Sequence, residues 1–121
     1  MAEYHNHTTN INALLDKLPN YEAAEEITNI LSVLADPTRL RILWFLCHTT
    51  ECVNDISKAV GMSAPAISHH LKILKQVKVI ESKKDGKEML YTLANNKYAN
   101  LIHKMIDSMF EITNPDMKHE D

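Results

Sequence analysis

The sequence predicts a mainly α-helical fold carrying one small β-hairpin. Three observations lead there. Apolar residues recur at the 3.6-residue period over most of the chain. The periodic stretches are bounded by residues that start or stop helices. After Val79 the period changes to two, around the pair Asp85-Gly86. With 121 residues, 45% hydrophobic and 24% charged, the composition is that of one globular domain.

Each element follows from its residues. Met1 to Asn10 contains no apolar run, and Ile11 to Leu18 is a short periodic segment stopped by Pro19. Residues 1–20 therefore read as an arm with a short helix. Tyr21 to Ala35 is a stronger helix, with Ile27, Ile30, Leu31 and Leu34 on one stripe. Glu22, Glu25 and Glu26 suit the positive end of its dipole. Asp36-Pro37 then starts a helix that runs to Cys47, because Asp caps well and Pro is pre-organised for the first helical position. Its core positions are Leu40, Ile42, Leu43 and Leu46.

His48 to Glu51 is a polar connection. Cys52 to Val60 is a short helix with Val53, Ile56 and Val60 inward, ended by Gly61. Ser63 caps a further helix that runs to Gln76. Val79-Ile80 and Met89 to Leu93 belong to two strands around the Asp-Gly turn. The last helix spans Lys97 to Ile112 and carries a broad stripe of Leu101, Ile102, Met105, Ile106, Met109 and Phe110. Residues 21–113 form the main body, and residues 114–121 a polar tail.

Two helices joined at Gly61 and followed by a hairpin are the pattern of a winged helix-turn-helix. On a helical wheel Leu71 and Leu74 fall within about 40° of Ile67. Pro65, Ser68, His69, Lys72 and Gln76 lie on the other side. That face is small near the helix start and polar throughout, as a helix entering the major groove requires. Ser63 and Ser68 suit phosphate or base contacts, and His69 and Lys72 suit base edges or phosphates. Lys83, Lys84 and Lys87 mark the hairpin tip, where a wing touches the DNA backbone or minor groove. His70, about 60° from Ile67 on the wheel, reads as a packing residue.

Charge is distributed accordingly. The net charge is −3, yet residues 62–93 hold six lysines against three acids, while residues 1–36 hold one lysine against six. One such unit reads only a few base pairs. Affinity for a palindromic double-stranded operator needs a homodimer, for which the terminal apolar helices are the candidate interface.

Three stretches carry a family resemblance: Leu34-Ala35-Asp36-Pro37-Thr38-Arg39-Leu40-Arg41-Ile42-Leu43, then Glu51-Cys52-Val53-Asn54-Asp55-Ile56, then Ser68-His69-His70-Leu71-Lys72-Ile73-Leu74. Over residues 25–110 the chain resembles the ArsR/SmtB family of bacterial metal-sensing repressors. The resemblance implies a dimer of winged helices whose DNA affinity falls when metal binds as inducer.

It also implies two alternative sensor sites. The first lies at the helix start near Cys52, with further ligands from the partner's N-terminal arm. Arsenic-sensing members carry Cys-Val-Cys there; this chain has Cys52-Val53-Asn54 and lacks the second thiolate. The zinc-sensing pattern Cys-x-x-Asp is intact as Cys52 and Asp55, three apart on one helical face. With His5 and His7 from the arm, these make a tetrahedral set for zinc, or for cobalt or cadmium. At the second family site this chain has Asn95, Lys97, Ser108 and Glu111, of which only Glu111 ligates well, so that site is expected to be lost or vestigial. His103 is the one nearby residue able to rescue a variant of that site, and His119 in the tail reads as solvated.

Cys47 and Cys52, five apart, leave a thiol- or persulfide-sensing repressor of the same fold as the alternative function. Two cysteines make no disulfide framework. With two glycines, Gly61 and Gly86, the chain has no glycine-rich phosphate loop, and no nucleophile–base–acid set is readable, so it reads as no enzyme. It carries no signal-peptide pattern and no run near the roughly 18 apolar residues of a spanning helix, so it reads as cytoplasmic and independent of membranes.

Overall fold

The computed structural model describes residues 10–116. Along the chain run α1 (Ile11–Lys17), α2 (Tyr21–Leu34), α3 (Pro37–His48), α4 (Val53–Val60), α5 (Ala64–Gln76), β1 (Ile80–Asp85), β2 (Glu88–Leu93) and α6 (Lys97–Thr113).

Four helix starts have the same local cause. The side chain of Asn20 accepts the Ala23 N–H at 2.8 Å, Asp36 that of Arg39 at 2.9 Å, Ser63 that of Ala66 at 3.4 Å, and Asn96 that of Ala99 at 2.8 Å. Each satisfies a backbone donor that the helix itself leaves unpaired. Helix α4 ends at Gly61, whose φ of 77° is the left-handed conformation that glycine adopts without steric cost. The Gly61 and Met62 N–H groups both donate to the Ser57 carbonyl, and the Ser57 hydroxyl donates to the Met62 carbonyl. The turn into α5 is thus closed from both sides.

Strands β1 and β2 pair antiparallel from Ile80↔Leu93 to Asp85↔Glu88. Asp85 therefore belongs to the ladder, and the two-residue loop is Gly86-Lys87 rather than Asp85-Gly86. Gly86 has φ 63° and Lys87 is not in the positive-φ region, the pattern of a II′ turn with glycine first. The connection after α3 is also more ordered than its polarity predicts. Glu51 exchanges both backbone hydrogen bonds with Tyr91, at 3.0 and 2.9 Å, and so adds a one-residue bridge to β2.

The core is a single cluster: Ile42, Leu43 and Leu46 of α3, Ile56 and Val60 of α4, Ile67, Leu71 and Leu74 of α5, Val79 and Ile80, and Ile102 and Ile106 of α6, with Leu34 at its edge. Leu40 and Val53 pack against this cluster half-buried rather than inside it. Helix α6 has two apolar faces. Ala99, Ile102 and Ile106 are buried, whereas Leu101 is 63% exposed and Ile112 80%, with Met105 and Met109 also exposed. Ile27 and Leu31 of α2 and Leu14, Leu15 and Leu18 in and beside α1 are likewise exposed, and α1 buries nothing within the chain.

Candidate nucleic-acid interface and metal-ligand groups

Helix α5 separates its two faces as the wheel requires. Ile67, Leu71 and Leu74 are buried; Ser63 at its cap and Pro65, Ser68, His69, Lys72 and Gln76 along it are exposed. The Ser63 hydroxyl is engaged in capping the helix start. Lys83, Lys84 and Lys87 are all exposed at the hairpin end. The hairpin is tied to α5 by a 2.6 Å hydrogen bond from Lys75 Nζ to Ser82 Oγ, which uses one lysine of the basic segment internally.

The two arginines of the Asp36–Arg41 run also act inside the protein. Arg39 Nε donates to the Val33 carbonyl at 2.7 Å, and its Nη1 lies 3.4 Å from His70 Nδ1. Arg41 Nη1 donates to the Val60 carbonyl at 3.2 Å, placing positive charge at the negative end of α4. Together they brace α2, α4 and α5 around α3. His70 is half-buried, in keeping with its wheel position, while His69 is exposed. The Asp36 carboxyl is held below its ordinary pKa chiefly by the Arg39 backbone N–H; desolvation, the next-largest effect, opposes this, and the charges of Arg39 and His70 add to the lowering.

Cys52 is the N-cap residue of α4 rather than its first helical residue. Its Sγ donates to Asp55 Oδ2 at 3.3 Å, so the thiol and the carboxylate that sequence spacing puts on one face do meet. Cys52 is half-buried and Asp55 exposed. Ligand atoms of one tetrahedral zinc ion lie roughly 3.3–3.7 Å apart, given bonds of about 2.0 Å to oxygen and 2.3 Å to sulfur. The pair therefore fits two corners of such a site. His5, His7 and His119 lie outside the described residues. Cys47 differs: burial, reinforced by Asp107, pushes its thiol up to about 12, which makes it a poor nucleophile.

His103 does not meet Glu111, which is exposed two turns further along α6. It meets Asp107 instead, with Nε2 3.0 Å from Oδ2, and the other oxygen of Asp107 lies 3.2 Å from His48 Nε2. His103 and Asp107 are four apart on α6, a spacing visible in the sequence; His48 joins them only because α3 packs on α6.

A short helix, a glycine turn, a second helix with an exposed polar face, and a lysine-tipped hairpin tied to it define a winged helix-turn-helix DNA-binding domain. The family model described as bacterial regulatory protein, arsR family, matches residues 36–82. The cadmium resistance transcriptional regulatory protein CadC of Listeria innocua is 34% identical over 107 residues, covering 88% of this chain and 89% of that protein. The chain belongs to this ArsR/SmtB family, whose members are DNA-binding transcriptional regulators and not enzymes. The transcriptional repressor SmtB homolog of Synechocystis is 30% identical over 105 residues, covering 87% of this chain and 80% of the relative. The fold matches the solution structure of the homodimeric winged helix-turn-helix domain Mb0332 from Mycobacterium bovis. The TM-score is 0.65 at 22% identity, with 100% of each chain covered.

Proposed function

We propose that this protein is a metal-responsive transcriptional repressor. It binds a palindromic operator as a homodimer and leaves it when zinc binds; cobalt and cadmium are the alternative inducers. The observation that carries this reading is the Cys52 thiol 3.3 Å from the Asp55 carboxylate, on the helix that leads through Gly61 into α5.

In this reading α5 lies in the major groove. Ser68 and His69 face base edges, and Ser63, Pro65, Lys72 and Gln76 complete the contact face. Lys83, Lys84 and Lys87 hold the flanking backbone. The exposed apolar faces of α1, α2 and α6 are covered by the second subunit, which supports dimerisation: a surface carrying Leu18, Leu31, Leu101, Met109 and Ile112 is too apolar to stay solvated. Cys52 and Asp55 hold the metal together with His5 and His7 from the arm of the other subunit. Bound there, the ion would supply a cross-link between arm and domain and a positive charge beside the Cys52 sulfur. Residues 1–20 thus serve as a ligand-bearing arm, residues 21–113 as the dimeric DNA-binding body and residues 114–121 as a tail. Among the described residues no helix is long and apolar enough to cross a membrane; we place the protein in the cytoplasm, where its thiols stay reduced.

A differential affinity of about 3 kcal/mol between the metal's binding to the free and to the DNA-bound dimer lowers operator affinity by a factor of about 150. The test is operator binding by reduced, chelator-stripped protein, followed by fluorescence anisotropy across zinc, cobalt and cadmium. Stoichiometric metal should release the DNA, and Cys52→Ser should stay bound. Release of Cys52→Ser by the same metal at the same concentration removes Cys52 from the sensor.

A further inference from the structure

We propose that His48, His103 and Asp107 form a second cation site, contained within one protomer, that takes a borderline divalent ion such as zinc, cobalt or nickel and clamps the end of α3 to α6. This goes beyond the Cys52 reading and does not rest on it, since the two sites share no ligand.

The geometry points there because the three side chains converge on one point from two helices. Asp107 offers Oδ1 3.2 Å from His48 Nε2 and Oδ2 3.0 Å from His103 Nε2. One ligand atom from each residue lies within 4.8 Å of the other two. Four-coordinate zinc with bonds of about 2.0 Å to nitrogen and oxygen needs ligand atoms roughly 3.3 Å apart. Each imidazole nitrogen already lies at about that distance from one oxygen of Asp107, so a carboxylate that gives one oxygen to the ion has to draw the second histidine in from within 4.8 Å. The imidazole rings are edge-on, with centroids 5.2 Å apart and planes at 85°, so they approach the shared point from different directions. Trp44 packs against His48 with ring centroids 4.7 Å apart and planes tilted by 50°, which limits the freedom of that ring.

The site is accessible without being fully solvated: the side chains of His48, His103 and Asp107 are 23%, 31% and 16% exposed. An ion can enter, and a water can fill the fourth position. Two imidazoles and a carboxylate favour zinc, cobalt or nickel and disfavour softer ions that demand thiolates. The same three residues also make a plain polar clamp between helices, and metal binding is what distinguishes the two roles.

The experiment is cobalt titration of the full chain, reduced and stripped of metal, read by optical absorption, with zinc affinity taken from competition against a chromophoric chelator. Cys52→Ser should bind one cobalt per protomer, with visible d–d bands and no thiolate-to-cobalt charge-transfer band. Adding His48→Gln and His103→Gln to that background should weaken zinc binding at least 100-fold, and Asp107→Asn should weaken it about tenfold. Zinc added to Cys52→Ser should shift the ring-proton resonances of His48 and His103. Should the triple variant fold poorly, Cys52→Ser with His103→Gln alone carries the same test, since His48 and Asp107 are untouched. The proposal is overturned if Cys52→Ser takes up no cobalt, or if removing both histidines leaves its cobalt and zinc binding unchanged. A thiolate charge-transfer band that is present in the wild type and lost in Cys52→Ser reports the Cys52 site, so failure of that site is seen independently.

Discussion

Lys72→Ala tests where α5 sits on DNA. Lys72 is exposed on the polar face, opposite the buried Ile67, Leu71 and Leu74, and the hairpin end adds Lys83, Lys84 and Lys87. If all four contact phosphates, a homodimer makes about eight such contacts, and log K falls with log salt at a slope of about −7. Removing Lys72 from both subunits takes away two contacts and brings the slope to about −5.4. Between 50 and 200 mM salt, wild-type affinity should then fall by a factor of about 2 × 10⁴ and that of the variant by about 2 × 10³. The variant binds more weakly at low salt, and the gap narrows about tenfold over the range. Anisotropy titrations of one labelled operator at four salt concentrations read both quantities. Ser68→Ala is the companion measurement: a base-edge contact alters sequence preference and leaves the slope in place. A Lys72→Ala slope equal to that of wild type would show that Lys72 faces no phosphate and that α5 is docked differently.

Other perturbations have equally definite outcomes. Asp36→Ala removes the cap of α3 and should cost about 1 kcal/mol, lowering Tm by roughly 4 °C at matched protomer concentration. The folded-state pKa of Asp36 lies below its ordinary 3.8, so its ionic stabilisation is present above the unfolded pKa and lost as pH falls through the folded value. Asp36→Asn keeps a capping oxygen, so its deficit in urea unfolding should be seen at pH 7 and vanish in acid. With its thiol pushed up to about 12, Cys47 should resist alkylation at pH 8, where only about one molecule in 10⁴ is thiolate; mass spectrometry after iodoacetamide should find Cys52 modified first. Lys78 holds a left-handed φ of 63° on an exposed turn, so Lys78→Gly should raise the urea midpoint by the equivalent of about 0.5–1 kcal/mol, while Lys78→Ala gains nothing.

What was legible in the sequence was whatever had a local cause. Asp36-Pro37, Gly61 and Ser63 each act within a few residues, and they locate the helices of the DNA-binding unit to within a residue. The same holds for α5, whose buried and exposed faces follow from its period alone. The hairpin was legible but its turn slipped by one residue, because the pairing of Asp85 with Glu88 is decided by the whole ladder rather than by the Asp-Gly pair. Glu51↔Tyr91 carried no signal: it joins residues 40 apart, and a lone bridge has no periodicity. The meeting of His48 with Asp107, 59 residues on, was hidden for the same reason, whereas the His103–Asp107 spacing was in plain view. The stripe on α6 was visible, but its division into a face inside the chain and a face left bare became apparent only when α3 had taken its side.

The bridge between Glu51 and Tyr91 gives Cys52 an unusual mechanical position. Its neighbour's backbone is stitched twice to the middle of β2, and one residue beyond it α4 begins. Two short connections therefore leave the sulfur: forward along α4 toward Gly61 and α5, and sideways through two backbone hydrogen bonds into the hairpin. The helix that leads to α5 and the strand that leads to the hairpin tip are thus both anchored within one residue of the same sulfur, so under the proposed function a ligand held there bears on both at once.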